Sequence, residues 1–272
     1  MTGGRFADLA PRMLSGGAMA AVGLVALWAG GVWFGLLIVV VTSAMVWELA
    51  RMLGQPTGGA LAATAPRVAL GLAALAGGAV LATMVLPPGL ALPLVFGPAI
   101  VGLRLMPAHR VLFAVYSSLM VIAGFGLWHL RMDFGEFGIV WMAWLALVVI
   151  VTDIAGYFAG RLIGGPKIWP RVSPKKTWSG TIAGWIGAAA VGAAFLPHAG
   201  IEILGISVGL SIAAQLGDVA ESAVKRQMGV KDASNLIPGH GGVMDRFDGM
   251  LGASVLLLLV ESVIGFPAVI AG

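Results

Sequence analysis

Long apolar runs, interrupted by Gly, Pro or small groups of charged residues, fill most of this chain. A helix that crosses a bilayer needs about 20 mostly apolar residues. On that length the pattern predicts nine spans: 13–29, 31–50, 68–86, 89–106, 110–130, 138–160, 178–196, 201–222 and 249–269. The first two are nearly fused at Gly30-Gly31, and Pro87-Pro88-Gly89, a turn signal, divides the third from the fourth. Pro93 and Pro98 predict a fourth span that is kinked or partly re-entrant. No repeat of fixed period stands out, and no polar stretch is long enough for a separate soluble domain. The expected fold is all-α: a polytopic integral membrane protein of about nine transmembrane helices.

Composition supports that class. Of 272 residues, 59% are hydrophobic and 10% charged, and mean hydropathy is +0.99. The first apolar run leads straight into the second, so no cleaved signal is expected. Without cysteine there is no disulfide, no thiolate nucleophile and no Cys metal site. The histidines (His109, His129, His198, His240) are scattered, which argues against a His-rich metal cluster. A net charge of +4 fits Lys and Arg in cytoplasmic loops better than nucleic-acid binding. With the N-terminus in the cytoplasm and nine spans, every Lys and Arg except Arg131 falls on the cytoplasmic side. The two longest polar loops, after the sixth and eighth spans, then face the cytosol together.

The first half offers little chemistry. Glu48 lies in the second span with Arg51 three residues on, the spacing of an interfacial ion pair. Trp28, Trp33, Trp47 and Trp128 sit near span ends, where indoles anchor. Asp133 and Glu136 read as a solvated external loop. In the sixth span Asp153 needs a reason to be there: a hydrogen bond between helices, or a cavity shared with later spans. Gly156 and Gly160 share a face with the spacing of close helix packing. The loop that follows gathers Lys167, Arg171, Lys175 and Lys176 beside Ser173, Thr177 and Ser179, just before a helix. Two readings stay open: attraction of anionic lipid headgroups, or a phosphate site at a helix N-terminus.

The densest polar window runs from Gln215 to Gly249. Asp218, Glu221 and Lys225 share one helical stripe at the end of the eighth span. A loop with Gly229, Pro238, Gly239, Gly241 and Gly242 follows, and Asp245 and Asp248 open the last helix three residues apart. Asp218, Asp245 and Asp248 converging on one mouth would repel without a cation, and hard oxygen donors suit Mg²⁺. With lysines nearby, this points to metal-assisted phosphoryl or nucleotidyl transfer, base and acceptor undetermined. A lipid kinase would share the apparatus. A transporter would carry its acids nearer mid-membrane.

The run Ser222 to Asp248 resembles the signature of the phosphatidate cytidylyltransferase (CDP-diacylglycerol synthase) family. The matching positions are Ser222, Lys225, Arg226, Lys231, Asp232, Pro238, His240, Gly241, Gly242, Asp245, Arg246 and Asp248. Gln215-Leu216-Gly217-Asp218 with Glu221, Asp153-x-x-Gly156-Tyr157-x-x-Gly160 and Ser173-Pro174-Lys175-Lys176-Thr177 are also similar. The strong motifs cover roughly 150–250. One departure is Ser179, where the family commonly has Glu. The resemblance implies reaction of CTP with phosphatidate to give CDP-diacylglycerol and pyrophosphate, on the cytoplasmic face of a bacterial-type inner membrane. It implies Mg²⁺ held by Asp218, Asp245 and Asp248, leaves a second, monovalent cation such as K⁺ open, and implies a homodimer. Lys225 and Arg226 join those three acids as catalytic candidates. Ser173, Lys175, Lys176, Thr177, Glu221, Ser222, Lys231, His240, Gly241, Gly242, Arg246 and Asp153 are the substrate-binding candidates. The chain then divides into N-terminal transmembrane helices, 1–136, and a C-terminal catalytic region, 137–272.

Overall fold

A computed structural model describes residues 9–54 and 66–266 of the chain. Arg5, counted above on the cytoplasmic side, and 267–269 at the end of the ninth predicted span lie outside them. The described residues are overwhelmingly helical, as the apolar pattern requires. They form α1 (Leu9–Ala29), α2 (Gly31–Leu53), α3 (Pro66–Val85), α4 (Pro88–Val95), α5 (Gly97–Leu105) and α6 (Arg110–Met132). A 3-10 turn then leads to α7 (Gly138–Leu162), followed by strands β1 (Lys167–Trp169) and β2 (Ser173–Thr177). The rest is α8 (Trp178–Ala194), α9 (Leu196–Ala199), α10 (Glu202–Gln227) and α11 (Met244–Ile264). Among the described residues, eight segments are long and apolar enough to cross a membrane. The ninth expected span is α8, whose 17 residues reach about 25 Å at 1.5 Å per residue, short of a hydrocarbon core of about 30 Å.

The chain separates into two compact units. One takes in Met1–Trp128 and Met228–Phe247. Its core is the seam between α2, α3 and α6, filled by Val46, Leu49, Ala76, Val80, Met120 and Val121, all essentially inaccessible to solvent. Small residues let these helices close up: a methyl group on Gly124 would lie 2.7 Å from Thr42 Oγ1, and one on Gly77 would strike Ser43 Oγ. The expected kink of the fourth span is a full break. Pro93 sits inside α4 and Pro98 in the first turn of α5, so the helix ends at Phe96 and restarts. Proline removes an amide donor and its ring crowds the preceding turn.

The second unit comprises His129–Gln227 and Asp248–Gly272. Here α7 and α8 approach backbone to backbone: a methyl on Gly180 would lie 2.5 Å from the Gly156 carbonyl oxygen. The face shared by Gly156 and Gly160 is therefore a packing face, as their spacing predicts. α10 and α11 run antiparallel, with Gly217 beside the Asp248 backbone and Gly252 beside Ala213. Polar pairs tie the helices together: Trp144 Nε1 donates to Ser207 Oγ at 3.0 Å, and Thr152 Oγ1 to Ser211 Oγ at 2.8 Å. Asp133, expected to be merely solvated, instead pairs with His129, whose other ring nitrogen meets Glu261 Oε1 at 2.7 Å.

The loop after α7 differs from expectation. Ser173–Thr177 is a strand, paired antiparallel with Lys167–Trp169. Neither segment alternates apolar and polar residues, so the sequence carries no period-two signal. Thr177 ends the hairpin and caps α8, its hydroxyl accepting from Gly180 N at 3.2 Å. Ser179 Oγ lies 3.0 Å from Thr177 Oγ1 and donates to the Gly164 carbonyl. At this position the chain has a hydroxyl that pins the hairpin to the helix start, rather than a further charge.

Candidate active site

In the second unit, Asp218 and Glu221 stand one turn apart near the C-terminal end of α10. Antiparallel packing through Gly217 brings the first turns of α11 alongside, and with them Asp248. One oxygen from each of Asp218, Glu221 and Asp248 lies within 4.8 Å of the others. Two lysines offset the charge: Lys176 Nζ lies 2.6 Å from Asp218 Oδ2, and Lys225 Nζ lies 3.0 Å from Glu221 Oε2. Ser222 Oγ donates to Asp218 Oδ1 at 3.3 Å, and Gly249 N to Asp248 Oδ1 at 2.7 Å.

These residues fit a divalent cation. Three carboxylates this close repel one another unless a positive charge lies among them, and hard oxygen donors are the set Mg²⁺ prefers. Glu221 Oε1 is also buried without a hydrogen-bond partner. A buried, unsatisfied carboxylate oxygen is costly, and a coordinated ion would satisfy it.

A cavity of about 650 Å³ adjoins the cluster. Asp218, Gln215, Thr152 and Asp153 line it, with Gly156 and Gly160 of α7, Gly180 and Thr181 of α8, and Ser173, Lys175, Lys176 and Thr177 of β2. Asp153 is thus a cavity residue rather than a bond between helices. The lining also includes Tyr157, Arg161 and Lys167, none of them among the substrate-binding candidates read from the sequence. Arg161 Nη1 donates to Tyr157 Oη at 2.9 Å. Their signal was the 3–4 residue stripe from Asp153 through Tyr157 to Arg161 along one helix. Gln215 accepts from Trp185 Nε1 at 3.0 Å, while its backbone carbonyl takes Lys176 Nζ at 3.3 Å.

The glycine-rich loop belongs to the first unit, and its motif residues bond mainly to one another. Asp245 Oδ2 accepts from Gly242 N at 2.7 Å and Ala233 N at 2.9 Å. Gly241 has φ +84°, and a methyl there would lie 2.7 Å from Asp245 Oδ2, so both backbone and space demand glycine. Arg246 donates through Nε and Nη2 to the His240 carbonyl at 3.1 and 2.9 Å. His240 Nδ1 lies 2.8 Å from Ser15 Oγ of α1. Lys231 and Arg226 are exposed. Sequence reasoning grouped Asp245 with Asp218 and Asp248; the carboxylate set beside those two is Glu221.

Glu48 departs furthest from its sequence reading. It is fully buried, and its carboxylate accepts from Ser234 Oγ, Val243 N and Met244 N. Arg51 lies instead over the Trp47 ring, 5.4 Å from its centroid.

Fold and site define an all-α, polytopic membrane protein with a carboxylate–lysine centre beside a basic hairpin. Residues 10–263 match the profile of the cytidylyltransferase family, and the chain belongs to that family. It is 46% identical over 169 residues to a phosphatidate cytidylyltransferase of Brucella suis, covering 60% of this chain and 59% of that protein. Proteins of the same name from Bacillus subtilis and Staphylococcus aureus are 40% identical over 121 residues and 39% over 132. Those alignments cover 43% and 46% of this chain, and 45% and 51% of the relatives. The chain thus spans about three fifths of the length of the Brucella relative and about half that of the others.

Proposed function

We propose that this protein transfers the cytidylyl group of CTP to phosphatidate, giving CDP-diacylglycerol and pyrophosphate, at the cytoplasmic face of a bacterial inner membrane. The observation that carries the reading is the cluster of Asp218, Glu221 and Asp248, with Lys176 on Asp218, beside a cavity rimmed by basic residues. The relatives' shared name supports it.

A phosphatidate oxygen attacks the α-phosphorus of CTP; that P–O bond forms as the bond to the β-phosphate's bridging oxygen breaks, and pyrophosphate leaves with the electron pair. Phosphatidate is anionic at neutral pH, so no strong general base is needed. Asp218, Glu221 and Asp248 would hold Mg²⁺. When bound, that ion supplies charge neutralisation for the transferring and leaving oxygens. Lys176, already at the cluster, and Lys175, Lys167 and Arg161 on the cavity wall hold the phosphates by charge-assisted hydrogen bonds. Lys225 holds Glu221 in place through their ion pair at 3.0 Å. Asp245 and Arg246 keep the loop around His240, Gly241 and Gly242 in shape by the bonds they make within it. A homodimer is part of the proposal, on the family's resemblance.

The test is purified protein with labelled CTP and phosphatidate, comparing wild type with Asp218→Asn and Asp248→Asn. Both variants should lose at least about 100-fold in CDP-lipid formation while eluting from a sizing column as wild type does. Chelation with EDTA should abolish turnover, and added Mg²⁺ should restore it. Wild-type turnover in both variants would refute the assignment of these carboxylates. Formation of CDP and a phosphorylated lipid would show γ-phosphoryl transfer instead.

A further inference from the structure

The cavity has polar groups that phosphate does not explain. Asp153 of α7 lines it and is exposed to it. The charged groups acting on that carboxylate are Asp248, Asp218 and Lys176, and the Lys176 ammonium is already engaged by Asp218 Oδ2 and the Gln215 carbonyl. Among the described residues no donor hydrogen-bonds to Asp153. Gln215 of α10 lines the same cavity. Its Oε1 accepts from Trp185 Nε1 at 3.0 Å; an indole nitrogen only donates, so this bond fixes which end of the amide is oxygen. Its Nε2 donates to the Thr181 carbonyl at 3.4 Å, which leaves a second N–H without an acceptor among the described residues. Gly184 makes room for the amide: a methyl there would lie 2.7 Å from Gln215 Nε2 and 3.1 Å from Thr152 Cγ2. The Gln215 amide therefore sits beside Thr152, and Asp153 is the next residue. The bond from Thr152 Oγ1 to Ser211 Oγ at 2.8 Å registers the two helices, with Gln215 one turn beyond Ser211.

An acceptor without a donor thus neighbours a donor without an acceptor, in a cavity whose other charged lining is mostly basic. A carboxylate repels phosphate, and phosphatidate has no hydrogen-bond donor outside its phosphate. The donors in the reaction belong to the nucleoside. On cytosine the 4-amine, a donor, stands beside N3, an acceptor; uracil reverses both, O4 accepting and N3–H donating. A carboxylate next to an amide N–H complements the first pattern and opposes the second. We infer that Asp153 and Gln215 are specificity-determining residues that read the base, Asp153 accepting from the 4-amine of cytosine and Gln215 Nε2 donating to N3. The inference rests on the reading that CTP is the nucleotide substrate.

The experiment uses the full chain in detergent with Mg²⁺ and labelled CTP in equilibrium dialysis, without phosphatidate, displaced by unlabelled CTP or UTP. From wild type, UTP should displace the label about 100-fold less well than CTP. Asp153→Asn can turn its NH₂ to uracil O4, and the preference for CTP should fall about tenfold. Gln215→Glu keeps an acceptor for Trp185 and offers another to uracil N3–H, and should also cost about tenfold in preference. The two changes together should let UTP bind at least as well as CTP. Wild-type preference in Asp153→Asn overturns the inference, as does a wild type that binds CTP and UTP alike. A loss in Asp153→Asn that is equal for CTP and UTP would place ribose hydroxyls at this carboxylate and overturn it too. Mn²⁺ affinity of Asp153→Asn, read by electron paramagnetic resonance without nucleotide, should stay within about twofold of wild type; a loss of about tenfold would assign Asp153 to the cation site instead. If Gln215→Glu is not recovered folded, Asp153→Asn decides alone. Wild type that binds CTP but makes no CDP-lipid would refute the proposed activity and leave the displacement comparison to judge the pair. Wild type that binds no CTP would overturn both.

Discussion

Lys176 shows how much one side chain settles. It is half-buried on a short strand, and its ammonium reaches Asp218 Oδ2 at 2.6 Å and the Gln215 carbonyl at 3.3 Å. It therefore restrains the cluster while facing the cavity where phosphates are proposed to bind. Removing one partner of such a pair leaves the other charge uncompensated. Lys176→Met should lower kcat by about 100-fold, read in single-turnover experiments with saturating Mg²⁺. Lys176→Arg should not rescue it, because a planar guanidinium does not fit where a compact ammonium makes two contacts. Wild-type turnover in either variant would remove Lys176 from the chemistry. Nearby, Thr177 and Ser179 spend their hydroxyls on the helix cap and the hairpin base. Their contribution is shape, and Ser173, Lys175 and Lys176 are the residues of that motif on the cavity wall left to meet an anion.

Among the elements, the pairing of α10 with α11 matters most, because it brings Asp218 and Glu221 to Asp248. Gly217 and Gly252 make it possible. A methyl on Gly252 would press on the Ala213 carbonyl and lie 3.4 Å from Gly217 Cα, so backbone would have to move. Overpacking of this kind costs about 1–3 kcal/mol. Gly252→Ala should therefore lower the detergent unfolding temperature and reduce CDP-lipid formation together. Gly205 of α10, where a methyl meets nothing within 4 Å, is the control: Gly205→Ala should change neither. A Gly252→Ala protein with unaltered melting and activity would show that the two helices are not held at this distance. The hairpin β1–β2 works differently, since it has no core of its own and rests on the Thr177 cap, the Ser179 bond and the Lys176 contacts.

For the whole molecule, orientation in the membrane decides which compartment the carboxylate cluster serves. The distribution of Lys and Arg predicts a cytoplasmic side for the hairpin after α7 and the loop after α10, with Arg131 opposite. The chain has no cysteine, so a single introduced thiol reports its own location without a background. Arg171→Cys should react with a membrane-impermeant maleimide only in inside-out vesicles, and Glu136→Cys only in right-side-out ones. The reverse labelling would invert the topology and place the carboxylate cluster away from cytosolic CTP.

Spans, their approximate ends and the polar window were legible because apolar runs of membrane length and charges at 3–4 residue spacing are local signals. Asp218 and Glu221 could be put on one stripe from spacing alone, and Gly156 with Gly160 on one packing face. The family itself was legible in a gap-free motif. The choice of Glu221 as the carboxylate beside Asp218 and Asp248 was not, since it depends on how two antiparallel helices meet at Gly217 and Gly252. Nor was the strand at Ser173–Thr177, which exists only by pairing with Lys167–Trp169. Glu48 is the plainest case: its near neighbour Arg51 suggested an ion pair, but its hydrogen bonds go to Ser234, Val243 and Met244. Sequence determines what a segment can be; contacts between distant segments, which leave no local period, decide what each polar residue is for.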